Sequence, residues 1–306
     1  MPPVTIPPEF LLVASRGADW AEWLDKLPGL VRDLLDEWDL RAGAEPSYGE
    51  CALVVPVTTT DGVEAMLKVG FPHWEAEHEH LALRKWDGRG AVRLLRADPH
   101  RYALLLELAH HRDLTSVGDL EACEIVAAMY RRLHIPAGPQ FRPLSREVSR
   151  WSEELLALPA SAPVPHRYVE QAAALGRDLA SDPDCDGRLI HTDLHYFNVL
   201  AADREPWLVI DPKPLSGDPH YEVAPLLWNR WDEVTATRDV REAVRRRFHT
   251  VVDTAELDEE RARDWVIFRQ LVNVLWTLQD ADLGPDAMLP KDWLTLNIAI
   301  AKAVQD

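Results

Sequence analysis

The hydrophobic periodicity of this chain changes near residue 110, and that change limits the folds available to it. Before this point, apolar residues alternate with polar ones over residues 51–57 and 63–69, on either side of Asp61-Gly62, which is the pattern of a β-hairpin. After it, apolar residues recur every three or four positions, as in amphipathic helices. A length of 306 residues also favours two domains over one. We therefore predict an α+β fold with two lobes: a small N-terminal lobe with an antiparallel sheet and a helix, and a larger, mostly helical C-terminal lobe.

The predicted elements place the boundary between the lobes near residue 110. The N-terminal lobe, residues 1–110, opens with leading helices within residues 19–40, where Asp19 is the predicted cap and Pro28 separates two apolar stripes. The remaining elements of this lobe are a helix over 74–86 and strands over 91–95 and 102–108. The C-terminal lobe, residues 111–306, is predicted to be helical at 117–134, 145–158 and 167–180 and from about residues 221, 239, 259 and 292, with short strands at 189–190, 199–201 and 207–210.

Composition excludes several classes of protein. The chain has 51 acidic and 33 basic residues, a net charge of -18, so its field repels nucleic acid. The acidic charge serves either solubility or the attraction of a cationic substrate, and both interpretations stay open. No apolar run reaches the roughly 18 residues that span a bilayer, and residues 1–7 lack the features of a signal peptide. Three cysteines far apart indicate neither a disulfide framework nor a thiolate metal site. We predict a cytoplasmic protein without nucleic-acid or membrane partners.

Two acids and an amide follow short apolar runs in the C-terminal half. The segment His191-x-Asp193-x-x-x-x-Asn198 follows one run, and Asp211 directly follows the run 207–210. Phosphoryl transfer needs a carboxylate that orients the acceptor hydroxyl and accepts its proton, and oxygen ligands that hold magnesium on the nucleotide phosphates. We therefore predict that Asp193 is the catalytic base and that Asn198 and Asp211 bind Mg²⁺.

Other polar residues in the same region have less certain roles. His191, at a predicted strand end, is interpreted as a residue that holds the loop through its ring nitrogens. His195 could contact the substrate or pack the loop. Lys213 has no derivable role, and contact with phosphate, with substrate or with a nearby acid are all open.

A lysine in the hairpin is the predicted ligand of the nucleotide phosphates. Lys68 points away from its apolar neighbours on the second strand, and a lysine of this kind needs a carboxylate on the following helix to orient it. Among three glutamates on that helix, Glu79 is the predicted partner because it shares a face with Leu83 and Trp86. The phosphate-covering loop is predicted before this strand, at Ser47 and Gly49.

These motifs resemble the aminoglycoside phosphotransferase superfamily, and within it the aminoglycoside 6-phosphotransferase and hydroxyurea kinase group of antibiotic-resistance enzymes. The resemblance rests on the segments Trp23–Pro28, Met66–Val69, Trp86–Leu95, Leu104–Glu107, His191–His195 and Ile210–Pro219. It implies a bilobal protein-kinase-like fold and the use of ATP or GTP with Mg²⁺. It also implies the roles given above for Asp193, Asn198, Asp211, Lys68 and Glu79.

The resemblance adds three expectations about individual positions. Adenine is expected on the backbone of Glu107, Leu108 and Ala109. Residues 109–113 replace a glycine-containing stretch that is usual in the group, so the acceptor site or the hinge should differ there. Glu222 stands where the group more often has Asp, at a position expected to brace the catalytic loop.

The expected function is phosphorylation of a hydroxyl on a small antibiotic, with an aminoglycoside as the first expectation, which inactivates the antibiotic. The nucleotide would bind the N-terminal lobe, and the acceptor would bind the helical lobe near acids of its C-terminal helices. Alternatives are a nucleoside antibiotic, a peptide antibiotic or a small metabolite as acceptor, or a nucleotide-binding pseudokinase. A protein kinase is disfavoured because no Ala-Pro-Glu segment follows Asp211. The chain is expected to act as a monomer or dimer.

Overall fold

The structure, a computed structural model, describes residues 4–281 and 291–305. Part of the segment 1–7, in which no signal peptide is predicted, therefore lies outside the described residues. The chain divides into two compact units, one of Met1–His110 with Ala202–Leu208 and one of His111–Ala201 with Val209–Asp306. The return of a short later segment to the first unit is not evident from the sequence pattern.

The first unit contains a six-stranded antiparallel sheet. Its strands are β1 (Arg41–Ala42), β2 (Ser47–Tyr48), β3 (Ala52–Thr58), β4 (Glu64–Gly70), β5 (Leu94–Asp98) and β6 (Ala103–Glu107). They are ordered β1-β3-β4-β6-β5, with β2 also paired to β3. The predicted hairpin is confirmed as β3 and β4, and Gly62 in its turn adopts a φ of 86°, which favours glycine. The register opposes Lys68 to Val54 on one side and to Leu104 on the other.

One long helix, α1 (Ala18–Glu37), precedes the sheet. The prediction of separate helices around Pro28 is wrong, because Pro28 lies inside α1. A proline in a helix interior costs about 3 kcal/mol, but Leu24 and Leu27 before it and Val31 after it are buried in one apolar cluster with the sheet. Burial of one continuous stripe therefore outweighs the loss of a backbone hydrogen bond. Gly17 occupies the cap position, so the capping role predicted for Asp19 is also wrong.

Two boundaries in the first unit differ from the prediction. The helix α2 (Glu79–Trp86) begins five residues later than predicted, after turns over residues 74–78. The strand predicted at 91–95 is β5 at 94–98, because Ala91 and Val92 are buried before the strand starts. In both places apolar residues are buried outside regular structure, where periodicity does not distinguish them from a strand or helix.

The second unit is mostly helical, as predicted. Its helices are α3 (Asp119–Leu133), α4 (Leu144–Leu156), α5 (His166–Ser181), α6 (Ala224–Leu227), α7 (Trp231–Thr235), α8 (Val240–Ala255), α9 (Glu259–Ala281) and α10 (Lys291–Val304). Its core includes Trp151, Trp265 and Phe268. The helix predicted near residue 221 is a 3₁₀ turn, Pro219–Val223, followed by the short α6, and α7 was not predicted.

Short strands surround the predicted catalytic segment. They are β7 (Arg188–Ile190), β8 (Val199–Ala201), β9 (Trp207–Val209) and β10 (Leu215–Gly217). β10, which the sequence pattern did not indicate, pairs antiparallel with β7 and places Leu215 opposite Ile190. No helix within residues 4–281 and 291–305 combines the length and apolar character needed to cross a membrane.

Candidate active site

The loop between β7 and β8 carries Asp193 and Asn198. It leaves β7 at Ile190 and closes with a 3₁₀ turn, Tyr196–Asn198, that leads into β8. Along it, Leu194, Tyr196 and Asn198 are buried, whereas the side chain of Asp193 is 31% exposed. The buried residues anchor the loop, and the carboxylate of Asp193 is accessible to a ligand.

Glu222 braces the start of this loop through hydrogen bonds to its backbone. Its fully buried carboxylate accepts hydrogen bonds from the backbone N–H of His191, at 3.1 Å, and from that of Thr192. Thr192 has a φ of 64°, which non-glycine residues adopt only when the surroundings hold them there. Burial alone would raise the pKa of Glu222, but hydrogen bonds from the side chain of His134 and from the backbone N–H of His191 lower it overall. The brace is therefore ionised.

His191 joins the loop that carries Asp193 to the segment that carries Asp211. Its ring is buried, with Nε2 2.8 Å from the carbonyl oxygen of Ile210 and Nδ1 accepting from the backbone N–H of Asp193 at 3.3 Å. Burial lowers the pKa of His191, so the ring is neutral, and these two partners require the proton on Nε2. This is a loop-holding geometry rather than one for proton transfer to a substrate.

Asn198 and Asp211 are the predicted magnesium ligands, and backbone hydrogen bonds connect the segments that carry them. The Nδ2 of Asn198 donates to the carbonyl oxygen of Asp193 at 2.8 Å, which turns the opposite amide oxygen away from that partner. The N–H of Ile210 donates to the carbonyl oxygen of Asn198 at 2.9 Å, so Asp211 follows directly after a residue tied to Asn198. Asp211 has a φ of 55° and a partly exposed carboxylate.

This donor set fits magnesium. Mg²⁺ usually takes one or two protein carboxylates together with phosphate oxygens and waters rather than a closed protein cage. Within the described part of the chain, no cluster of three or more His, Cys, Asp or Glu side chains forms such a cage. One partly exposed carboxylate, from Asp211, and one amide oxygen, from the buried Asn198, suit a magnesium nucleotide that brings its own oxygens.

Lys213 and His195 lie within the same constellation. The Nζ of Lys213 is 2.7 Å from Oδ2 of Asp211, so of the three contacts open for this lysine, the structure contains the one with a nearby acid. His195 has Nε2 3.2 Å from Nδ2 of Asn198 and 3.8 Å from Oδ1 of Asp193. His195 therefore packs within the loop, beside the two residues on which the prediction centres.

A buried network behind the loop was missed by sequence reasoning. The hydroxyl of Tyr196 donates to Oδ1 of Asp119 at 3.1 Å, and the backbone N–H of Tyr196 donates to Oδ1 of Asn229 at 3.1 Å. Arg247 pairs with the Asp119 carboxylate at 2.8 Å and donates to the carbonyl oxygen of Asn229. These residues come from three distant parts of the sequence. The one clue to them is that an arginine, when it is buried, needs hydrogen-bond partners nearby.

In the first unit, Lys68 and Glu79 form a close pair. The Nζ of Lys68 lies 2.7 Å from each carboxylate oxygen of Glu79, and the two side chains are 12% and 5% exposed. Lys68 is on β4, and Glu79 is the first residue of α2. Glu79 is thus the helix glutamate that holds the lysine in one position.

The other predicted nucleotide residues lie at separate places in this unit. Ser47 is in β2, and Gly49 makes the turn to β3, where its N–H donates to the carbonyl oxygen of Ala52 at 2.9 Å. A side chain at Gly49 would meet no atom within 4 Å, so its backbone is open to a ligand. Leu108 and Ala109 directly follow Glu107, the last residue of β6.

Arg204, which sequence reasoning also missed, fixes the end of β6. All five of its guanidinium N–H groups donate, two of them to the carboxylate of Glu107 at 2.8 and 2.9 Å. The others reach the carbonyl oxygens of Gly88 and Ala91 and the carboxylate of Glu205. Burial alone would raise the pKa of Glu107, but Arg204 and the N–H of Arg93 lower it overall. The backbone where adenine is expected therefore follows a firmly held residue.

Comparison of the sequence with known proteins shows which family this chain is similar to. Residues 37–281 match the family model described as aminoglycoside/hydroxyurea antibiotic resistance kinase. The chain is 42% identical to a streptomycin 6-kinase of Streptomyces glaucescens, covering 88% of this chain and 89% of that protein. It is 39% identical to a hydroxyurea phosphotransferase of Kitasatospora aureofaciens, covering 92% and 82%.

The fold matches solved structures as well. An aminoglycoside phosphotransferase crystallised with ADP and hygromycin B aligns with a TM-score of 0.59 at 17% identity, covering 90% of this chain and 98% of that one. The predicted protein-kinase-like fold is therefore confirmed. The family match covers well over half of the chain, so this protein belongs to the aminoglycoside and hydroxyurea antibiotic resistance kinases.

Proposed function

We propose that this protein transfers the γ-phosphoryl group of ATP, with Mg²⁺, to a hydroxyl of an aminoglycoside antibiotic and so inactivates it. The observation that carries the proposal is the loop in which Glu222 holds the backbone before Asp193 and Asp193 itself is hydrogen-bonded to Asn198. That loop occurs in a chain 42% identical to a streptomycin 6-kinase.

In this proposal Asp193 orients the acceptor. Its exposed carboxylate accepts the hydrogen bond of the acceptor hydroxyl and takes the proton as the hydroxyl oxygen bonds to the γ-phosphorus. The bond from that phosphorus to the bridging oxygen breaks, and ADP leaves. Asn198 and Asp211 would hold magnesium, which when bound would neutralise charge on the phosphate oxygens. The brace from Glu222 keeps Asp193 in one orientation, since alignment supplies much of the rate of such a step.

The nucleotide has its own set of residues. Lys68, fixed by Glu79, would bind the α and β phosphates, while the turn with Ser47 and Gly49 would cover them. The backbone of Glu107, Leu108 and Ala109 would receive adenine. ATP is proposed as the donor because an aminoglycoside phosphotransferase of the same fold was crystallised with ADP. The location proposed for the protein is the cytoplasm.

A second acceptor has a specific observation in its favour. Identity to the hydroxyurea phosphotransferase, at 39%, is close to that with the streptomycin 6-kinase. Hydroxyurea also carries a hydroxyl that Asp193 could orient, although it is much smaller and uncharged. It is therefore the alternative acceptor.

A panel experiment tests the proposal. The purified protein is incubated with Mg-ATP and, separately, with streptomycin, other aminoglycosides, hydroxyurea, a nucleoside antibiotic and a peptide antibiotic, and each acceptor is examined by mass spectrometry. The expected result is the added mass of one phosphate on an aminoglycoside, which disappears when EDTA removes the metal. Phosphate on hydroxyurea alone would support the alternative acceptor. No phosphate on any acceptor would contradict the proposed function and support a nucleotide-binding protein without this activity.

A further inference from the structure

The catalytic loop presents its side chains alternately to the interior and to the open side. Leu194, Tyr196 and Asn198 are buried, whereas Asp193 and His195 are partly exposed and Phe197 is 60% exposed. His195 lies between the two exposed groups: its ring centroid is 5.9 Å from that of Phe197, and its Nε2 is 3.8 Å from Oδ1 of Asp193. An aromatic ring therefore accompanies the predicted base on the accessible side.

The backbone on either side of Phe197 is held in place by hydrogen bonds of the neighbouring residues. Tyr196 is fixed at both ends, its backbone N–H by Asn229 and its hydroxyl by Asp119. The Asp119 carboxylate is in turn paired with Arg247, whose side chain is almost fully buried. Because Tyr196 and Asn198 on either side are anchored, the backbone of Phe197 has little freedom. The exposed ring of Phe197 is therefore attached to an anchored stretch of backbone.

We propose that Phe197 contacts the acceptor and helps to determine its specificity, by stacking on the C–H face of the saturated ring that carries the hydroxyl to be phosphorylated. This inference rests on the proposed function. The ring of Phe197 makes an edge contact with the ring of His195, with 5.9 Å between centroids. The rest of the Phe197 side chain is exposed and can contact an acceptor. Contact with an aromatic face excludes water from one side of a sugar-like ring and orients it. An acyclic acceptor gains no such contact.

The test is a steady-state comparison with streptomycin as acceptor. The variants are Phe197→Ala, Phe197→Trp and the control Leu156→Ala, which truncates an exposed apolar residue of the same unit on α4. Phe197→Ala should raise the KM for streptomycin about tenfold, the size expected for one aromatic stacking contact. The KM for ATP and the thermal unfolding midpoint should stay at the parent values, Phe197→Trp should recover the streptomycin KM, and Leu156→Ala should change neither KM.

Two results would overturn the inference and are distinguishable. If Phe197→Ala leaves the KM for streptomycin at the parent value, or raises the KM for ATP equally, Phe197 is not an acceptor contact, while the proposed function stands. If the parent protein itself adds no phosphate to streptomycin, the aminoglycoside acceptor and this inference fall together.

Discussion

The brace under the catalytic loop is open to a direct test through Glu222→Gln. This substitution keeps the size of the side chain but removes its charge. In the parent, each carboxylate oxygen accepts one backbone N–H, one from His191 and one from Thr192. In the variant, one of these oxygens becomes an NH₂ group that faces a backbone N–H and cannot accept from it.

The magnitude follows from these two bonds. A hydrogen bond to a charged group contributes about 1.5–3 kcal/mol, and a neutral one about 0.5–1.5 kcal/mol. Glu222→Gln loses one charged bond and converts the other to a neutral one. The sum is a loss of about 2.5–4.5 kcal/mol, measured as a lower free energy of unfolding or as a loop that no longer holds Thr192 at positive φ. Either way, Asp193 is aligned for a smaller fraction of the time, so kcat should fall.

The assay combines urea denaturation with steady-state kinetics. The matched control is Glu147→Gln, a buried glutamate on α4 whose partner is the side chain of Arg150 rather than a loop backbone. The control should change stability modestly and leave kcat at the parent value. Parent-like stability together with parent-like kcat in Glu222→Gln would refute the bracing role. So would an equal loss of kcat in the control.

Three further predictions concern the remaining site and the fold. Lys68→Met should lower kcat about a hundredfold by removing a positive charge from the phosphates, as measured by initial rates at saturating ATP. Gly176→Ala should lower the free energy of unfolding by about 1–3 kcal/mol, because the added Cβ would overlap the ring of Phe268. Gly29→Ala, where the added Cβ would make only an ordinary van der Waals contact with the side chain of Arg32 at 3.6 Å, should be neutral or stabilising in urea denaturation. For Asp218, burial alone would raise the pKa, but hydrogen bonds from His220 and a buried tryptophan lower it overall. The ionised carboxylate therefore stabilises the protein at pH values above 3.8, the ordinary pKa of the group, and this stabilisation is lost as the pH falls below that value. Asp218→Asn should flatten the acid side of a plot of unfolding free energy against pH.

Local pattern predicted the parts of this protein that depend on local physics. Alternation along residues 51–69 predicted the hairpin, because each residue of a strand faces opposite to the next. Helical phase pointed to Glu79 from three candidates, and in the structure Glu79 contacts Lys68. The order of acids and amide around Asp193 predicted a loop whose members are indeed hydrogen-bonded to one another.

Features that depend on distant partners were out of reach. Pro28 ends a helix by local rules, yet α1 continues through it because the sheet buries both sides of the stripe. Arg204 lies in a short segment without a recognisable motif, and its hydrogen-bond partner Glu107 is 97 residues away in the sequence. The link from Arg247 to Tyr196 through Asp119 likewise joins three remote segments. Neither hydrophobic periodicity nor motif spacing predicts which distant residue a charged side chain will contact.

The central claim is that Asp193 acts as the base for phosphoryl transfer on an otherwise intact nucleotide site. The most direct measurement compares the parent with Asp193→Ala, using the rate of phosphate addition to streptomycin and, by titration calorimetry, the affinity for Mg-ATP. Because the Asp193 carboxylate is partly exposed and the loop is anchored by its neighbours, the variant should fold and bind nucleotide as the parent does. The predicted result is a rate lower by about 10²–10⁴-fold with nearly unchanged nucleotide affinity. An unchanged rate of phosphate addition would contradict the account.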